Sequence, residues 1–132
     1  RHCCSALHTI CEGVDATAMA RKKRAALAGA LEATVAALNS CSGDTDLHWH
    51  GCKALRCLCS GNEASAFAHR ERAVRAGALE AIVGALGAYP DDSGVQRQGC
   101  YALASICVKC KDAQESAVRA GALHIVVKAL AN

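Results

Sequence analysis

Two short motifs recur along this chain in step with each other. CCSALHTIC at 3–11, GCKALRCLC at 51–59 and GCYALASIC at 99–107 each begin 48 residues after the last. AGALEATVAAL at 28–38, AGALEAIVGAL at 76–86 and AGALHIVVKAL at 120–130 interleave with them, 48 and then 44 residues apart. Independent motifs that keep the same period define a chain of repeated units. Each unit buries its apolar side against its neighbour, because a single one is too small to bury it alone.

Both motifs carry helical periodicity. Leu79, Ile82, Val83 and Leu86 fall at i, i+3, i+4 and i+7, a single stripe of a 3.6-residue repeat. Leu123, Val126, Val127 and Leu130 repeat it, as do Leu31, Val35 and Leu38 with Thr34 in the remaining slot. Glu32, Glu80, His124 and Lys128 lie on the opposite, solvated face. In the other motif Val95, Gly99, Ala102, Leu103 and Ile106 form a stripe, matched by Leu47, Gly51, Ala54, Leu55 and Leu58. A third helix precedes each AGAL segment, clearest in SAFAHRERAVRA at 65–76, where Phe67 and Val74 share a side. Gly29, Gly77 and Gly121 stand where one helix ends and the next begins, a corner that glycine permits. Gly51 and Gly99 lie inside a stripe, where glycine costs about 1 kcal/mol of helix propensity. That cost predicts close packing against another helix.

Three helices per unit with a glycine corner between the first and second resemble the armadillo repeat. The resemblance rests on RERAVRAGALEAIVGAL at 70–86 and ESAVRAGALHIVVKAL at 115–130 for the first two helices, and on VQRQGCYALASIC at 95–107 for the third. It covers essentially the whole chain and implies an all-α fold, a right-handed α-solenoid of armadillo-type three-helix repeats. HEAT repeats, with two helices, lack the short helix that leads into the glycine corner. The implied register is a third helix in 1–14, full units at 15–61 and 62–110, and first and second helices in 111–132. The long spacings are assigned to longer loops and a longer first helix at 62–72. No polar capping unit is apparent at either end, so further chain or a partner is expected to cover both.

The resemblance also implies that third helices line a groove holding an extended peptide. Import receptors of the family carry a Trp and, four residues on, an Asn there. The matching pairs are Ser5 with Thr9, Lys53 with Cys57, and Tyr101 with Ser105, so an import-type ligand is disfavoured. The groove is expected to present Ser5, His8, Trp49, Lys53, Arg56, Arg97, Tyr101 and Ser105. Trp49, the one tryptophan, is either an exposed anchor or a lid over the adjacent unit.

A second candidate surface is basic. Arg21, Lys22, Lys23 and Arg24 align with His69, Arg70, Glu71 and Arg72 on first helices, and with Arg75 they define a face that could meet phosphate or an acidic protein. With a formal charge of only +3 and 3% aromatic residues, nucleic acid is the less favoured partner.

Ten cysteines in 132 residues could signal disulfides or metal. Cys4, Cys52 and Cys100 occupy one repeat position, however, and Cys11, Cys59 and Cys107 another, as small apolar packing residues do. Reduced thiols in an intracellular compartment are therefore expected. The run His48, His50, Cys52, Cys57, Cys59 and the Cys107–Cys110 pair do not offer two convergent knuckles, so neither metal nor cofactor is expected. No phosphate loop, nucleophile elbow or carboxylate pair beside a histidine is present, and Asp44, Asp46, Asp91 and Asp92 fall where helix caps are needed. No apolar run is long enough to span a membrane. The function expected is a non-catalytic protein-interaction scaffold or a structural subunit of a larger assembly.

Overall fold

A computed structural model describes residues 2–13 and 15–131; residues 1, 14 and 132, which bound the terminal predicted units, lie outside the described residues. Among the described residues there are nine helices and no strand: α1 His2–Ile10, α2 Ala16–Leu27, α3 Ala30–Ser40, α4 Thr45–Cys59, α5 Ala64–Arg75, α6 Ala78–Ala88, α7 Ser93–Cys107, α8 Lys111–Arg119 and α9 Ala122–Ala131.

Local chemistry sets these boundaries. Asp15, Asp44 and Asp92 cap α2, α4 and α7, each carboxylate accepting from the backbone N–H three residues on (Ala18 at 2.8 Å, Leu47 and Val95 at 3.0 Å). The corners between α2 and α3, α5 and α6, and α8 and α9 turn on Gly29, Gly77 and Gly121, with φ of +87°, +87° and +90°. Any other residue would be strained in that left-handed conformation.

Helices three apart in the chain stack. The most extensive packing is α4 on α7, followed by α1 on α4, so one layer runs α1, α4, α7. A second runs α3, α6, α9, and α5 packs on α8. Between the layers, the stripes expected from periodicity are buried: Leu31, Val35 and Leu38 on α3, Leu79, Ile82 and Leu86 on α6, and their facing residues Leu55, Leu58, Val95 and Ile106. The close approach predicted at Gly51 and Gly99 is present. A Cβ on Gly51 would lie 2.7 Å from Leu38 Cδ2, and one on Gly99 would lie 2.6 Å from Leu86 Cδ2. Tyr89 ties successive loops together, its hydroxyl accepting from Gly43 N at 2.6 Å.

Two expectations are corrected. The first helix assigned to 62–72 is α5, which begins at Ala64 and runs to Arg75; it has 12 residues against 9 in α8, which accounts for much of the 48-to-44 shortening. The inward stripe expected on α9 is also largely turned out. Leu123 is 62% exposed, Val127 63% and Leu130 81%, although their counterparts on α3 and α6 are buried or half-buried. The reason is positional: α4 lies over α3 and α7 over α6, and among the described residues no helix lies over α9 in that way.

Candidate functional site

The layer α1, α4, α7 brings most of the expected groove residues onto one face. On α4, residues 49, 53 and 56 follow one another along the helix, and all three side chains are half-buried. Lys53 Nζ stands 5.1 Å from the Trp49 ring centre, and the Arg56 guanidinium 5.2 Å from that of Tyr101 on α7. Both are cation–π distances. Arg56 also donates to Gln98 Oε1 at 3.4 Å, and Lys53 pairs with Glu12 at 3.6 Å. Tyr101 and Arg97 are exposed and Ser105 half-buried on α7; Ser5 is half-buried on α1. Two aromatic rings, each with its own cation, thus sit on adjacent helices.

Trp49 behaves as a lid rather than a free anchor. It lies against the start of α7, where a Cβ on Gly94 would approach its Cδ1 to 2.8 Å, and reaches back to α1 with an edge contact to His8 at 5.9 Å. His8 is buried, not groove-facing as expected. Its ring stacks on His50, with His8 Nε2 and His50 Nδ1 3.0 Å apart and sharing one proton donor, while His8 Nδ1 is buried with no hydrogen-bond partner. Burial first, then the positive charge of Lys53 and the neighbouring His50, holds the His8 pKa below its ordinary value, with Glu12 opposing.

The predicted basic face does not assemble. Lys22 and Arg70 are 2% and 1% exposed and point inward. Lys22 Nζ donates to Gly13 O at 2.8 Å; Arg70 donates to Cys59 O at 2.9 Å and to Gly61 O, its guanidinium 5.0 Å from the Phe67 ring. Arg21 donates to Ile10 O at 2.7 Å and Glu12 O at 3.1 Å, and the aligned His69 engages Leu58 O at 3.1 Å. At the position of Lys22 and Arg70 in the next unit, Gln114 donates to Cys107 O at 3.0 Å. These side chains occupy carbonyls at the C-termini of α1, α4 and α7 (Ile10, Leu58, Cys59, Cys107) and in the loops just after α1 and α4 (Glu12, Gly13, Gly61), where a cation near the helix end also complements the dipole. Arg72 is drawn to Glu32 at 2.6 Å. That leaves Lys23, Arg24 and Arg75 as the exposed members of the run.

The cysteines pack as the repeat register implied. All ten are free; Cys4, Cys11, Cys52, Cys57 and Cys59 are buried. Burial, reinforced by the neighbouring Cys100 and Cys4 thiols, pushes Cys52 up to about 12, and burial takes Cys59 to about 12 as well. The Cys107 thiol is also raised, by burial first, and contacts Ala113 O at 3.7 Å. Thiols held this way are poor nucleophiles and poor ligands. Among the described residues no group of His, Cys, Asp or Glu is placed to hold a metal ion, and no helix is long and apolar enough to cross a membrane.

Sequence reasoning missed Glu12, His50 and Gln98, which fix Lys53, His8 and Arg56. The repeat alignment places His50 and Gln98 at one position, beside the glycine of each third helix, and that shared place was the available signal. Comparison with protein-family models, curated proteins and solved structures finds no match.

Proposed function

We propose that the chain is a right-handed α-solenoid of armadillo-type units, and that it serves as a non-catalytic protein-interaction scaffold or a structural subunit of a larger assembly. The observation that carries this reading is the paired cation–ring face on α4 and α7, Lys53 with Trp49 and Arg56 with Tyr101, flanked by exposed Arg97. Half-exposed rings supply apolar contact area and the cations supply counter-charge. The ligand that fits is an extended acidic segment of a partner protein. The alternative, phosphate or nucleic-acid binding through first helices, is weakened by the inward turn of Lys22 and Arg70. Import-signal recognition has no Trp–Asn ladder to support it.

Trp49 is the only tryptophan, so its emission reports on this face directly. Titration with acidic, neutral and basic extended peptides should give a saturable change for the acidic series alone, abolished by Arg56→Ala and Tyr101→Ala. Silence toward all three would refute the reading. Salt-dependent binding of duplex nucleic acid instead would favour the alternative.

A further inference from the structure

One pair of repeat positions bridges neighbouring third helices twice, with different chemistry each time. Between α4 and α7, Arg56 donates to Gln98 Oε1 at 3.4 Å. Between α1 and α4, the places of Arg56 and Gln98 are taken by His8 and His50, whose Nε2 and Nδ1 lie 3.0 Å apart in rings 10° from parallel. The Arg–Gln bridge keeps its donor and acceptor at every pH in the ordinary range, because a guanidinium stays charged and an amide stays neutral. The His–His bridge depends on how many protons its two rings hold. One added proton can be held between them, since one facing nitrogen then donates and the other accepts. Two cannot, because both facing nitrogens would carry hydrogen and both rings a positive charge at 3.0 Å.

The surroundings oppose charge on the pair. His8 is 6% exposed, and its Nδ1 has no hydrogen-bond partner among the described residues. Burial disfavours its protonated form first, then Lys53, His50 and Arg56 of α4, while Glu12 after α1 favours it. Asp46 stands one turn before His50 on α4, and Asp92, at the start of α7, is engaged by the backbone N–H of Val95 at 3.0 Å. Trp49 leans edge-on against both rings, 5.9 Å from His8 and 4.8 Å from His50. We propose that the His8–His50 pair is a proton sensor that sets the position of Trp49: uptake of a second proton parts the rings, His50 turns toward solvent, and the indole loses the support that holds it as a lid. The parted pair holds two added protons and the closed pair at most one. Well below the ordinary 6.5, each pH unit therefore favours the parted form about tenfold or more. Parting adds positive charge and a bare ring to the face of α4, so an acidic segment binds more tightly in mildly acid solution. That consequence rests on the groove reading above, whereas the sensor does not.

Emission from Trp49, the only tryptophan, and its quenching by neutral acrylamide follow the lid with no peptide present, so the test does not depend on the groove reading. From neutral pH to about pH 5 the quenching constant of the whole chain should rise severalfold and the emission maximum should move to longer wavelength, with helicity by circular dichroism unchanged. The double variant His8→Arg, His50→Gln places the α4–α7 bridge between α1 and α4 and should keep Trp49 shielded throughout. His50→Gln alone, at a half-buried position, should also remove the step. Flat quenching in wild type, a step that appears only with loss of helicity, or a step that persists in either variant would each overturn the proposal.

Discussion

Replacing Gly99 by alanine sets two opposing effects against each other in a place where the structure decides between them. Alanine in a helix interior is favoured over glycine by about 1 kcal/mol. At Gly99 the added Cβ would lie 2.6 Å from Leu86 Cδ2, 3.0 Å from Leu86 Cγ and 3.6 Å from Ile82 Cγ2. Leu86 is 1% exposed and Ile82 is fully buried, so the leucine has no open side to swing into, and α6 and α7 must separate slightly. Overpacking of this kind costs about 1–3 kcal/mol. With a branch carbon as well as a methyl group in the way, the upper part of that range applies, and the net loss is about 1–2 kcal/mol. Gly84, on the exposed side of α6, is the matched control, because a Cβ there meets nothing within 4 Å. Gly84→Ala should keep the propensity gain and stabilise by about 0.5–1 kcal/mol. Urea unfolding followed by far-ultraviolet circular dichroism separates the two by midpoint at a common slope. A Gly99→Ala midpoint at or above that of wild type would refute the close-packing account, and Gly51→Ala, facing Leu38, should behave like Gly99→Ala.

Arg70→Met should cost about 1–3 kcal/mol by leaving the Cys59 and Gly61 carbonyls without their charged donor, and Arg70→Lys should recover part of the loss, as Lys22 does at the same repeat position; equal urea midpoints for Arg70→Met and wild type would exclude the capping role. His8 and His69 both have pKa values held below the ordinary 6.5, in each case by burial first. The unfolded chain therefore binds their protons before the folded chain does, so stability is full above pH 6.5 and falls as the pH drops from there toward the lowered folded values. Urea midpoints measured from neutral to mildly acid pH should show this slope, and it should flatten in a His8→Gln, His69→Gln double variant.

The repeat register, the glycine corners and the core stripes were legible because each depends on spacing within one helix or one turn. Gly77 turns the corner wherever its unit sits, and Leu79, Ile82 and Leu86 share a face by geometry alone. The candidate site was legible only in outline. That Lys53, Arg56 and Tyr101 share a face follows from the register, but the pairing of Arg56 with Tyr101 depends on how far α4 and α7 are offset. The basic run was misread for a related reason. Four consecutive cations look like a solvated patch, whereas the direction of Lys22 is set by the loop after α1, nine residues upstream at Gly13. Alignment of Lys22 with Arg70 and Gln114 hinted at a shared structural duty, since a binding surface has no need for the same position to bond a carbonyl in every unit. The outward turn of α9 was not legible at all, because the same apolar stripe is buried or bare according to whether another helix lies over it.

The caps made by Lys22, Arg70 and Gln114 have a consequence for how the chain melts. Each belongs to one unit and bonds a carbonyl at or just past the end of the last helix of the unit before it, so neighbouring units lose a shared bond together when either unfolds. In a one-dimensional nearest-neighbour description these bonds enter the coupling term rather than the intrinsic stability of a unit, and they lengthen the stretch of chain that opens as one. The coupling is graded along the array. A guanidinium with two carbonyl bonds joins α5 to the end of α4 and the loop after it, whereas a neutral amide and a long thiol contact from Cys107 to Ala113 O join α8 to α7. The boundary before α8 is thus the weakest link, and cooperative opening is set to begin there, with α8 and α9 exchanging their amide protons ahead of the units they lean on.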